Sequence, residues 1–215
     1  MSGAEPRPAP ESGEPRAALP RSNPFSTRFI QPGAIPYFFP PGVDAAQLVL
    51  RLEQGGGWGE IIGPHGSGKS TLLAELFPRL SERGKRPLLF TLHNGERSLA
   101  RHRAELAYAD AKSLIVVDGY EQLWPWNRAL LRRFCRRRGA GLIVTAHAPM
   151  GLPRLYSCAV DRQTAAAVLE RLLPIRSSIG QADLERALAT HGQNLREALF
   201  ELYDLYELRQ PSQGA

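Results

Sequence analysis

Eight consecutive residues carry the most specific chemistry in this chain. Gly63-Pro64-His65-Gly66-Ser67-Gly68-Lys69-Ser70 fits the spacing G-x-x-x-x-G-K-[ST] in full. Glycines at those places let a loop wrap so that backbone N–H groups converge on an anionic phosphate chain. A helix beginning at Lys69, with Ser70 and Thr71 in its first turn, adds its positive N-terminal end. The Lys69 ammonium then follows the β- and γ-phosphates, and the Ser70 hydroxyl ligates Mg²⁺. Lysine is scarce, only Lys69, Lys85 and Lys112 among 27 basic residues, so one standing at the required place is informative.

A second acidic position lies downstream. Leu114-Ile115-Val116-Val117-Asp118 is an apolar run ending in aspartate. In an open parallel sheet, ligands bind at the C-terminal ends of strands. A carboxylate there holds the metal whose other side meets Ser70 and the phosphates. Hydrolysis also needs a group that orients and deprotonates water. Glu121 is the nearest acid, and His147 a less direct candidate. Gly141-Leu-Ile-Val-Thr145-Ala-His147 is another apolar run ending in polar groups, so Thr145 or His147 contacts the γ-phosphate or the attacking water. The competing readings are an aspartate that only caps the next turn and a histidine that only hydrogen-bonds a turn.

These groups need strands to carry them. Periodicity and breakers predict strands over 58–62, 87–93, 113–117 and 141–145, with a short last strand at Cys158-Ala159-Val160. Helices are expected over 43–53, 69–83, 96–110 and 127–138. This alternation specifies an α/β fold, a three-layer arrangement on a parallel sheet, with the 141–145 strand beside the phosphate-loop strand. After about Thr164 the strands cease, and helices are expected over 164–173, 181–191 and 195–209. The organisation is therefore a disordered tail (1–24), an α/β domain (25–163) and a small all-helical lid with a C-terminal tail (164–215). The aromatic stretch from Phe25 to Pro41 is too apolar to stay in water and should lie extended on the domain, along an edge of the ligand site.

Composition narrows the class. Hydrophobic residues at 43% and charged residues at 22% describe a globular chain with a core. No apolar run reaches the roughly 18 residues that span a bilayer, and the first twenty residues lack a signal peptide's apolar centre. Two cysteines, Cys135 and Cys158, exclude a disulfide framework or paired Cys-x-x-Cys zinc sites. A cytoplasmic location is expected. The helix over Asn127–Arg138 strings together Arg128, Arg132, Arg133, Arg136, Arg137 and Arg138. Such a cluster fits phosphate-backbone contact with nucleic acid, or equally a solvated or protein-facing surface.

Together these residues resemble the P-loop ATPases of the AAA+ class, in the wider group that uses an added catalytic glutamate, over about residues 35–209. Gly63–Ser70 is similar to the Walker A motif, Leu114–Asp118 to the Walker B strand and Gly141–His147 to the sensor 1 strand. The helical tail looks like the AAA+ lid. Within it, Gly192-Gln193-Asn194-Leu195-Arg196-Glu197-Ala198-Leu199 is similar to the sensor 2 helix of clamp-loader and replication-initiator relatives. The resemblance implies that Arg196 reaches the γ-phosphate and that Ile35-Pro36-Tyr37-Phe38 sits where relatives cradle adenine. Two departures stand out. Gly119 occupies the place where most members carry the glutamate, and the acid comes at Glu121, more like the STAND signalling ATPases. Where clamp-loader relatives carry an arginine finger in Ser-Arg-Cys, this chain has Tyr156-Ser157-Cys158, with Arg154 as a substitute. No Leu-Ser-Gly-Gly-Gln or Asn-Lys-x-Asp occurs, against a transporter subunit or a GTPase.

The resulting expectation is a protein that binds ATP with Mg²⁺ and hydrolyses it, coupling hydrolysis to lid motion, a protein partner or self-association. The alternatives are a slow or non-hydrolysing nucleotide switch and a small-molecule kinase.

Overall fold

The computed structural model describes residues 23–26, 31, 33–173, 177–192 and 194–209. The expected tail over 1–22 lies outside the described residues. Asn23 and Pro24, read as its end, are buried instead.

Helix α1 (Ala45–Gln54) opens where the Asp44 carboxylate caps the Gln47 N–H. Strand β1 (Trp58–Ile62) leads through the glycine-rich turn into helix α2 (Lys69–Glu82). Strand β2 (Arg86–Thr91) forms one edge of the sheet, and β3 (Ser113–Asp118) runs buried until its final residue. Helix α4 (Pro125–Arg138) stops at Gly139 and feeds β4 (Gly141–Ala146), which is buried throughout. Strand β5 (Arg154–Ser157) closes the sheet, and helices α5 (Arg162–Leu172), α6 (Gln181–His191) and α7 (Leu195–Arg209) follow.

All five strands are parallel, in the order β2-β3-β4-β1-β5. As the pattern of apolar runs predicts, β4 lies beside β1, with Ile62 opposite Ala146. A parallel sheet gathers every strand's C-terminal end on one edge. Gly63, Asp118 and His147 all leave the sheet there.

Side chains alternate between the two faces, which explains why β3 and β4 read as unbroken apolar runs. Leu114, Val116 and Ile143 pack under α1 and α2, while Ile115, Val117, Leu142 and Val144 face α4. A third core joins α5, α6 and α7, and it also takes in Val160 and Phe25. The Phe25 ring meets Tyr206 edge-on at 6.3 Å, and Asn23 Nδ2 donates to Tyr203 O (3.1 Å) and Glu207 Oε1 (2.6 Å). Residues from before the sheet thus brace the last helix.

Two elements differ from the sequence reading. The helix expected over 96–110 shrinks to a 3-10 turn (Ala100–His102) and a short α3 (Arg103–Ala107). The Arg97 carbonyl is taken by Trp124 N and Asn127 Nδ2, and Glu96 turns back to cap His93 N, so neither can open a helix. The last strand lies at Arg154–Ser157, upstream of Cys158–Val160. Leu155 is its buried residue, and Val160 serves the helical core instead.

Candidate functional site

The turn from β1 to α2 is shaped by glycine. Gly66 has φ 68°, in the left-handed region. A Cβ on Gly66 would also collide with Asn194 Oδ1, because the start of α7 rests on the loop. Asn194 caps that helix, its Oδ1 accepting from Glu197 N at 3.4 Å. Within the loop, Ser67 is buried and its hydroxyl has no partner among the described residues. Lys69 Nζ folds back onto the loop, donating to Gly63 O (2.8 Å) and Pro64 O (2.7 Å). Burial lowers the Lys69 pKa, opposed by the negative charges of Glu121 and Asp118 nearby.

The acids converge from the neighbouring strands. Ser70 Oγ donates to Asp118 Oδ2 at 2.6 Å, and Thr145 Oγ1 donates to Asp118 Oδ1. Thr145 is fully buried and in turn accepts from Gly119 N at 3.0 Å. Gly119 has φ 84°, a conformation that a glutamate side chain would strain. The 3-10 turn Tyr120–Gln122 then carries Glu121 toward β4. Glu121 Oε1 lies 2.8 Å from His147 Nδ1, while its Oε2 is buried without a partner among the described residues. His65 from the loop packs on His147, ring centroids 3.7 Å apart. Burial is the main cause that lowers the His147 pKa, joined by Lys69 and His65 and opposed by Glu121.

A cavity of about 300 Å³ opens beside these groups. One wall is Gly66–Thr71, a second is Ile35-Pro36-Tyr37-Phe38, and a third comes from α7 through Leu195, Arg196 and Phe200. Arg196 reaches the same cavity as Lys69, its guanidinium 5.5 Å from the Phe200 ring centroid. Tyr37 is wedged edge-on against Phe39 and Tyr156, and burial drives its phenol far above its ordinary pKa.

The candidates thus fall into one connected region. Gly63 to Thr71 form its loop, Asp118, Glu121, Thr145 and His147 its sheet side, and Arg196 its helical side. Arg154, on the far edge strand, is exposed. The arginine-rich helix is less uniform than its sequence. Arg128 Nη2 donates to Glu121 O at 2.6 Å, and Arg132 Nε donates to the Tyr120 hydroxyl at 3.1 Å. Both are committed to the turn that carries Glu121 and are not part of a phosphate-facing stripe.

Two partners, Asn194 and Glu60, were not singled out as site residues by sequence reasoning. Asn194, like the packing of the loop residue His65 on His147, depends on a contact between distant segments, and nothing local marks it. Glu60, in the middle of β1, is 2% exposed, and its carboxylate accepts the N–H groups of Met150 (2.8 Å) and Leu152 (3.2 Å). It thereby fixes the connection that leaves His147. A charged residue inside an apolar strand was the available signal.

No known family profile matches the sequence, and no curated protein matches it. Among solved structures the chain is similar to PCH-2 of C. elegans, at 12% identity with a TM-score of 0.39, covering 77% of this chain and 66% of that one. The chain itself is an all-parallel α/β sheet that fits a P-loop-like fold. No described helix is long and apolar enough to cross a membrane.

Proposed function

We propose that the chain binds ATP with Mg²⁺ in this cavity and hydrolyses it, as an ATPase of AAA+ type with α5–α7 acting as a lid. The observation that carries the reading is the 2.6 Å contact between the Ser70 hydroxyl and the Asp118 carboxylate beside a glycine loop. Both are hard oxygen ligands, drawn from different elements to one point. The Ser67 hydroxyl, without a partner among the described residues, and the glycine cradle fit an anionic group at the same place. Ser70 and Asp118 would hold the metal, which when bound supplies positive charge beside the phosphate oxygens.

The chain's own groups then have distinct tasks. Lys69 exchanges two loop carbonyls for phosphate oxygens. Thr145 keeps Asp118 aimed. The apolar wall at Ile35–Phe38 receives the adenine ring, and a 300 Å³ cavity suits a ligand of that size. In hydrolysis a water oxygen attacks the γ-phosphorus, the bond to the β,γ-bridging oxygen breaks, and ADP and phosphate depart. The water's proton passes to the Glu121 carboxylate, which His147 holds by its other side. Arg196, on the opposite wall, offers its charge to the γ-phosphate from the lid.

The Glu121–His147 pair also favours a second reading, a nucleotide switch that turns over slowly because its base is held by an imidazole. Calorimetric titration with ATP, with and without Mg²⁺, tests the common part. Wild type should bind, and Lys69→Ala and Asp118→Asn should each weaken binding in Mg²⁺ by tenfold or more, about 1.4 kcal/mol. No heat of binding in the wild type ends the proposal. Phosphate release under saturating ATP then separates the ATPase from the switch.

A further inference from the structure

The outer face of α4 combines two features that are rarely left in water together. Trp124, Trp126 and Leu130 are 44%, 56% and 62% exposed, and the two indoles lean on each other with centroids 4.2 Å apart. At about 100° per residue, Trp126, Leu130, Arg133 and Arg137 fall within roughly 60° of one another and form one stripe about 16 Å long. Its first half is apolar and its second half cationic. The helix contains no acidic residue, and neither Arg133 nor Arg137 pairs with a carboxylate among the described residues. Two indoles and a leucine make a contiguous apolar patch of the kind that marks contact sites.

We propose that this face docks an acidic segment of another protein, one that carries an aliphatic or aromatic anchor beside its carboxylates. The anchor covers Trp126 and Leu130, and the carboxylates meet Arg133 and Arg137. Charge and shape select this occupant over the others. The chain's own residues 1–22 offer Leu19 but balance Glu5, Glu11 and Glu14 against Arg7, Arg16 and Arg21, so they lack the acidic half of the complement. A second copy applied through the same face brings no carboxylate from this helix to meet Arg133 and Arg137 and doubles the uncompensated positive charge. A stacked nucleobase between two rings needs them about 7 Å apart, whereas these indoles touch, and Leu130 has no face on which a base can stack. The inference is independent of the nucleotide reading.

The test is therefore made without nucleotide. Short random peptides displayed on phage are selected on the wild-type chain and counter-selected on a Trp126→Ser/Leu130→Gln variant. Both positions are exposed, so the variant should keep its circular dichroism and melting temperature. Enriched peptides should be acidic with an apolar anchor, should shift the tryptophan emission of wild type, and should bind Arg133→Gln/Arg137→Gln at least about tenfold more weakly. Added salt should weaken them further. Three outcomes overturn the proposal. One is no enrichment over the counter-selected variant, or enrichment of neutral or basic peptides. Another is binding of a short oligodeoxythymidylate that the same substitutions abolish. The last is self-association of wild type that Trp126→Ser/Leu130→Gln removes.

Discussion

His147 holds Glu121 by one oxygen, with Nδ1 2.8 Å from Oε1, and leaves the other carboxylate oxygen buried and without a partner among the described residues. An ionised carboxylate only accepts, so Nδ1 carries the proton in this pair. The two residues come from different strands' C-terminal ends, and each sets where the other can point.

Replacing Glu121 with glutamine keeps the shape and removes the proposed base. ATP cleavage in a single turnover should fall by at least about a hundredfold with ATP affinity unchanged. His147→Ala frees Oε1 instead, so its rate should change by much less than that of Glu121→Gln. Equal background rates in wild type and Glu121→Gln would leave only the switch reading.

Gly66→Ala tests the contact between the glycine loop and the start of α7. The added methyl meets Asn194 and forces an alanine into left-handed backbone at a cost of about 1–2 kcal/mol. ATP affinity should drop by tenfold or more. Adding Asn194→Gly should restore the steric part of that loss and leave the backbone part, which a double-mutant cycle on binding would resolve.

Phe25→Ala should lower stability by about 3–4 kcal/mol, read as a shift of the urea midpoint, although Phe25 lies 137 residues or more from the helices it supports, the first of which begins at Arg162. A loss below about 1 kcal/mol would mean that the ring is not integral to that core.

Asp183 joins α6 to the end of α7. Arg209 donates to both of its oxygens, at 2.7 and 2.8 Å, and Arg186 and Gly180 N add to them. The Arg209 hydrogen bonds, against the opposing effect of burial, hold this carboxyl well below the usual range. Its stabilisation is therefore complete above the ordinary carboxylate pKa and is lost as pH falls through the depressed value. Asp183→Asn should cost about 3 kcal/mol at neutral pH, and its gap in melting temperature from wild type should narrow below pH ~4.

Much of the sheet and the loop was legible because each depends on neighbours in sequence. Gly63–Ser70 carries its own turn, and Leu114–Asp118 carries its own burial. What escaped depends on distant partners. The helix over 96–110 failed because Trp124 and Asn127 claim the Arg97 carbonyl. Strand β5 was displaced because its only buried residue, Leu155, sits in a polar-looking tetrapeptide, while the more apolar Ala159 and Val160 turn to the cavity and the helices. Asn23 looked like the end of a tail until α7 was there to receive it. The division of six arginines into inward and outward sets likewise depends on Tyr120 and Glu121, which no helical wheel contains.

Helix α7 has fifteen residues, so it is roughly 22 Å long, with its first turn touching Gly66 and its last turn bonded to Asp183. Its first turn rests on the glycine loop, and the rest of its length extends away from that contact. A tilt of about 10° at Asn194 would swing Arg209 by roughly 4 Å. Asn23, tied to Tyr203 and Glu207, would be carried along, so a change confined to one glycine turn would be felt by the chain that enters the fold.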